Sequence, residues 1–440
     1  MRCFLEKSME ISLVLLIISI MLGFLLGIVS GLTPGIHVNN FALILVAASP
    51  FLSGMGFAPF YIAVIILSNS IAHTFLDIIP SIFLGAPEAD TALAVLPGHA
   101  LLMEGRGEEA VRLSAIGSAG AVIVSLLMVL PMAFFFKNIY VLVNDYVGWI
   151  LVLIVIVMIA TENGESEEGQ GSLVHLKYKF YALLLFLISG FLGIFAFDNT
   201  VLIQPLIKFG EPSILMPLLS GLFGASMLVI SLMTKSEIPP QQKNCMFVLS
   251  KHRIIRGLVS GTAAGSFVAW LPGVSSAVGT ILAMLFIRVE KGAESSKEFM
   301  VSISSANTSN AIFSLVALFI IGKARSGAMV AIDQLVNVGD WDYSIIIILL
   351  IVIIFVSAIS YFTTIYLGGR VSGFLSRINY SRLCAGVLAG LTVLVIMFTG
   401  WFGFIIFLIS TPVGMVASYA KIRKINAMGV IMLPVILYFL

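Results

Sequence analysis

Long apolar runs, interrupted at glycine and proline, set the pattern of this chain. A membrane-spanning helix needs about 20 apolar residues, and runs of that kind follow one another with short polar punctuation. The first, Ile11–Ser30, stops at Thr33-Pro34-Gly35 and resumes as Phe41–Phe51. Pro34 has no backbone donor and Gly35 tolerates positive φ, so a helical hairpin broken among apolar residues is expected. A span follows near Ala58–Ile79. From Pro80 to Gly98 the run is interrupted by Pro87, Pro97, Gly85, Glu88 and Asp90, which predicts a second, re-entrant hairpin or else a surface loop. The polar turn Glu104–Arg112 then precedes spans near Leu113–Phe136, Val147–Ala160, Phe180–Phe197 and Ile214–Met233. Thr161–Ser172, rich in Glu, Gly and Ser, reads as a flexible solvated loop.

A basic linker, residues 234–256, carries Lys235, Lys243, Lys251, Arg253 and Arg256 against one acid, Glu237. It divides a first transmembrane repeat, residues 11–233, from a second, residues 257–440. The second half runs in the same order. A broken pair covers Gly257–Ile287, a span Met300–Ile321, and an interrupted stretch Gly322–Val338. Four spans follow near Ile345–Leu367, Leu383–Thr399, Trp401–Tyr419 and Ile425–Leu440.

The halves share more than order. Gly23, Gly27 and Pro34-Gly35 recur as Gly261, Gly265 and Pro272-Gly273, always 238 positions on (23 to 261, 27 to 265, 34 to 272). The same spacing relates Asn69 to Asn307 and Phe75 to Phe313. With hairpins that do not cross, each half has an odd number of crossings, which predicts two inverted repeats and about ten full spans plus hairpins. Basic residues at 235–256, at Arg370, Arg377 and Arg382, and at Lys421, Arg423 and Lys424 would then lie in the cytoplasm, with the N-terminus and Asp340–Asp342 outside. Inverted repeats with helices broken at matching places are the signature of secondary transporters.

Composition sharpens the class. Of the 440 residues 60% are hydrophobic and 10% charged, against roughly 25% charged in soluble domains. The fold class is therefore an all-α polytopic membrane protein, multi-pass in the cell membrane. A net charge of +2 spread over loops excludes a nucleic-acid surface. Cys3, Cys245 and Cys384 lack metal or redox spacing, and no catalytic signature is present, so neither a cofactor nor an enzyme is expected.

Candidate chemistry gathers at the breaks. Small polar residues follow each: His37, Asn39 and Asn40 after Pro34-Gly35, Ser275 and Ser276 after Pro272-Gly273. Helices restarting there would point unpaired N–H groups at an anion. Thr33, Pro34, Gly35, His37, Asn39, Asn40, Pro272, Gly273, Ser275 and Ser276 are the candidate substrate contacts, with a packing kink as the alternative. Asn69 and Asn307 can coordinate a cation, hold substrate or bond neighbouring helices. His73 and Asp77, four apart on one helical face, suit ion coupling or interhelical bonding, and Glu88 and Asp90 suit a coupling cation or an exposed tip. Any coupling ion would be Na+ or H+. Lys323 and Arg325, at the matching place in the second half, suit contact with a carboxylate substrate or, as the commoner case, interfacial cations.

Several of these motifs resemble one family. Gly31–Gly35, the run from Ile79-Pro80 through Thr91-Ala92 to Pro97-Gly98, Met103, Gly107 and Ala110, and Leu271–Gly273 are similar to the TctA family, the large membrane subunit of tripartite tricarboxylate transporters. His37–Asn40 stands where that family is glycine-rich. The resemblance implies an ion-gradient-driven permease for di- or tricarboxylates, partnered by a small membrane subunit and an extracytoplasmic binding protein. Pro272–Thr280 also resembles an element of polyprenyl-phosphate translocases, which implies a lipid phosphate as the alternative cargo.

Overall fold

A computed structural model describes residues 11–33, 38–85, 90–91, 93–164, 172–207, 213–234, 238–242, 249–284, 293–375 and 379–440. Its helices in the first half are α1 (Leu13–Leu32), α2 (Val38–Ala47), α3 (Ser49–Gly54), α4 (Pro59–Leu76), α5 (Ile78–Phe83), α6 (Val95–Met103), α7 (Gly107–Asn138), α8 (Tyr140–Asn144), α9 (Val147–Ala160), α10 (Ser172–Asp198), α11 (Leu215–Leu219) and α12 (Ser226–Thr234). The second half holds α13 (Lys251–Val268), α14 (Ser276–Met284), α15 (Ala293–Ile321), α16 (Gly327–Leu335), α17 (Tyr343–Leu375), α18 (Tyr380–Tyr419) and α19 (Gly429–Phe439). The described residues contain no strand. Among the described residues, eight helical stretches are long and apolar enough to cross a membrane, and two shorter apolar ones, Val147–Ala160 and Lys424–Phe439, accompany them.

Burial separates these helices into two kinds. Every residue of α4 from Phe60 to Leu76 is buried, although an apolar helix of this length would be stable in lipid. By contrast α7, α10 and α17 expose Leu127, Leu130, Phe191 and Phe362 among many large apolar side chains. An unbroken apolar exterior of this extent belongs against lipid rather than water. The protein is thus a membrane bundle with its most central helix shielded from the bilayer.

The offset of 238 reappears in the helix boundaries. α1 begins at Leu13 and α13 at Lys251, α2 at Val38 and α14 at Ser276. α13 therefore takes in the last six residues of the expected linker, 251–256. Glycines set the packing of both helix pairs. A methyl group on Gly27 would lie 2.5 Å from Ala72 Cβ of α4, and one on Gly265 would lie 2.9 Å from Ala306 Cα of α15. Close backbone approach of this kind maximises dispersion contacts where lipid offers no hydrophobic gain. The α7–α15 seam is held by small residues and by Ser114–Ser304 at 2.7 Å and Ser305 Oγ donating to Gly117 O at 3.0 Å.

At one end of the bundle, charge is buried in pairs, one of which joins the halves. Lys297 meets Glu109 at 2.7 Å, and Arg256 meets Glu298 through two bonds of 2.5 and 2.7 Å. Glu109 and Glu298 are fully buried, so these partners offset the cost of desolvation. The amide of Gln242 donates to Gly105 O at 2.8 Å, so 104–109, 241–242, 256 and 297–298 share one end. α18 breaks at Gly400, whose φ of 67° and ψ of −161° divide it into 380–399 and 401–419. The loop after α9, expected to be solvated, starts buried. Glu162 accepts from Arg423 Nε at 3.1 Å and from Asn426 Nδ2 at 2.8 Å. The glutamate-rich composition that suggested solvent was read without its cationic partner, 261 residues away.

Candidate anion cavity between the halves

The two helix breaks lead to one place. α1 ends at Leu32, with Thr33 Oγ1 donating to Val29 O at 2.7 Å, and α2 restarts at Val38. α13 ends at Val268, and a turn carries the chain to Ser276, with Gly273 at a φ of 71°. A left-handed φ costs other L-residues roughly 1–2 kcal/mol, which accounts for glycine here. Pro34, Gly35, His37 and Glu88 lie outside the described residues, as does the side chain of Asn40.

Beyond the second break lies a cavity of about 230 Å³. Val38 and Asn39 of α2, Gly273 to Ser275 before α14, and Arg325 to Ala328 at the start of α16 all line it. Three helix N-termini thus border one space. α4 contributes Ser70 and Thr74, and α15 contributes Asn307, Asn310 and Ser314. Leu215, Leu219, Met428 and Ile431 close the apolar side. Both halves of the chain are needed to build it, which is where repeat-built transporters place their sites.

Its polar groups are linked across the halves. Asp90 Oδ1 accepts from the Ser276 amide at 2.9 Å and from Ser276 Oγ at 3.0 Å. Ser276 Oγ also lies 3.4 Å from Asn307 Oδ1, and Asn307 Nδ2 donates to Asp77 Oδ2 at 2.8 Å. Asn39 Oδ1 accepts from the Ala328 amide at 3.2 Å, at the N-terminus of α16. Thr74 and Thr308 join α4 to α15 at 3.2 Å. Asp77, Ser276 and Asn307 are buried.

Asn69 and His73 take different places. Asn69 Nδ2 donates to Ser30 Oγ at 3.1 Å, and Ser30 Oγ lies 3.0 Å from His73 Nδ1. This cluster sits between α1 and α4, and its members are not among the cavity's lining residues. The two asparagines at equivalent positions therefore have different surroundings: Asn307 borders the cavity and Asn69 joins two helices. His73 in the last turn of α4 and Asp77 at its C-cap bond to Ser30 and Asn307 respectively.

Arg325 is a residue for which the sequence offers both a carboxylate contact and an interfacial role. It borders the cavity, and its Nη2 donates to Tyr140 OH at 2.6 Å. Its Nε is buried without a hydrogen-bond partner. Tyr140 meets the ring of Trp270 edge-on, with centroids 6.0 Å apart. Trp270 stands just before Leu271-Pro272-Gly273, so one aromatic column supports both the break and the arginine. A guanidinium and three helix N-termini give the cavity a positive character suited to an anion. In the sequence, Arg325 looks like any charge beside an apolar run, apart from its place just before the counterpart of the first half's second hairpin, the signal behind the carboxylate-contact reading. Among the described residues no three His, Cys, Asp or Glu side chains gather as metal ligands.

Comparison with known proteins places this geometry in context. The sequence model of the tripartite tricarboxylate transporter TctA family matches residues 17–429. The uncharacterized protein MJ1079 of Methanocaldococcus jannaschii is 27% identical over 425 residues, covering 92% of this chain and 94% of that one. No solved structure matches the chain significantly.

Proposed function

From the chain's membership of the tripartite tricarboxylate transporter TctA family, which makes it a membrane transporter component, we propose that it is a permease for small organic anions, namely di- or tricarboxylates. Substrate binds in the cavity between the halves, at the helix N-termini that follow the breaks and beside Arg325. The observation that carries this reading is the convergence of the α2, α14 and α16 N-termini with Arg325 on one cavity of about 230 Å³. Oriented N–H groups and a guanidinium bind carboxylates without reorganising. An ion gradient of Na+ or H+ drives uptake, with Asp77, Asp90 and Asn307 as the groups placed to sense the ion. The family's tripartite name supports partnership with a small membrane subunit and an extracytoplasmic binding protein.

The test is uptake of labelled citrate and succinate into proteoliposomes under imposed Na+ or H+ gradients, comparing the wild type with Arg325→Ala and Arg325→Lys. Arg325→Ala is expected to raise the half-saturating citrate concentration at least tenfold. Arg325→Lys restores part of that loss, because charge returns without the planar fork. Wild-type half-saturation in Arg325→Ala would remove the arginine from the site. Thermal stabilisation of the purified protein by a polyprenyl phosphate, with none by any carboxylate, would replace this cargo with a lipid phosphate.

A further inference from the structure

Asp90 occupies the kind of place that a substrate carboxylate would take. It precedes α6 in the first half, yet its carboxylate meets the first residue of α14, 186 positions away in the second half. The helix it caps is nine residues long and opens beside Gly273, Val274 and Ser275 on the cavity wall. The corresponding junction of the opposite pair is closed differently. There the N-terminus of α16 is met by the side-chain oxygen of Asn39, a neutral amide. One terminus is held by an anion and the other is not.

Two further polar atoms of this cavity point to a missing ligand. Ser275 Oγ, next to the terminus that Asp90 caps, and Arg325 Nε are both buried without hydrogen-bond partners. Buried donors are normally satisfied. Asp90 is the only acidic residue among the described residues that line the cavity. Among those lining residues the positive character of the space is thus answered by a single carboxylate.

We propose that Asp90 is a resident anion, holding the N-terminus of α14 in the substrate-free protein, and that an incoming carboxylate displaces it. The inference rests on the carboxylate-permease reading above and names how that site is kept occupied. The exchange also suits coupling. Asn307 already links Ser276 to Asp77, so a displaced Asp90 adds a second carboxylate to the neighbourhood of Asp77. A cation drawn to that pair binds best when substrate is present, and linkage makes the effect reciprocal.

The experiment is calorimetric titration of the purified full-length protein with citrate, succinate and inorganic phosphate. Wild type is compared with Asp90→Asn, with Asp90→Ser as a second variant, and with Asp333→Asn as the control; size-exclusion chromatography checks that each is monodisperse. Loss of the competing carboxylate should tighten at least one of the three anions tenfold or more. Asp333→Asn, which removes an exposed carboxylate of α16 that does not line the cavity, should change affinity less than threefold. Tightening confined to phosphate would keep the exchange and retire the carboxylate cargo. Equal tightening in the Asp90 and Asp333 variants would mean general charge removal and would overturn the proposal. So would unchanged affinity in the Asp90 variants, or no binding of any probe to any variant.

Discussion

Replacing Gly273 by alanine isolates the turn that aims α14 at the cavity. At a φ of 71°, the new side chain incurs roughly 1–2 kcal/mol of backbone strain. Its Cβ would lie 2.8 Å from Val435 Cγ2 and 3.3 Å from Ile431 Cγ2, both on α19. The shorter contact forces either the turn or α19 to move, and overpacking of this kind costs typically 1–3 kcal/mol. α19 is the stiffer partner. It meets α10 backbone to backbone at Gly193 and Gly429, where neither helix has room for a methyl group. The turn should therefore yield, and with it the Ser275 and Ser276 donors. A loss of 1.4 kcal/mol at those donors is a tenfold loss of affinity. We expect the half-saturating citrate concentration for proteoliposome uptake to rise at least tenfold in Gly273→Ala. Gly56→Ala supplies the control, because Gly56 also has positive φ (93°) but nothing within 4 Å of its new methyl. It should lose thermal stability and keep wild-type uptake kinetics. Gly273→Ala with a wild-type half-saturation constant would refute the idea that the α14 terminus contacts substrate.

Other positions separate folding from transport. Gly265→Leu inserts a side chain where even a Cβ would lie 2.9 Å from Ala306 Cα. It should cut monodisperse yield in detergent well below that of Gly273→Ala, whereas equal yield would mean that α13 and α15 do not need their close approach. In a cysteine-free background, single cysteines at Lys243 and Arg377 should label only from the cytoplasm and one at Asp342 only from outside. The opposite pattern at any of the three would overturn the inverted arrangement of the halves.

Much of the architecture was legible because its causes are local. A helix stops where proline lacks a donor and glycine takes positive φ, so the turn at Pro272-Gly273 and the change of helix at Gly400 could be placed from residue types alone. The frame of 238 positions survives in the helix starts at Leu13 and Lys251 and at Val38 and Ser276. Elsewhere local reading misled. Glu162 stands in a glutamate-rich stretch that suggests solvent, yet it is buried against Arg423 and Asn426. Arg325 resembles an interfacial cation until the fold sets it beside the start of α14.

The sequence by itself therefore determined that this is a multi-pass helical membrane protein. Lipid burial depends on composition and helix termination on neighbouring residues, and both are written along the chain. Tertiary structure decided which polar residues share a cavity. It placed Asn307 on that cavity and Asn69 between two helices, despite their equivalent positions in the repeat. It also brought Asp90 to Ser276 across 186 residues. Such pairings depend on how helices of the two halves pack, because a buried polar group is satisfied by whichever partner the packing brings within reach.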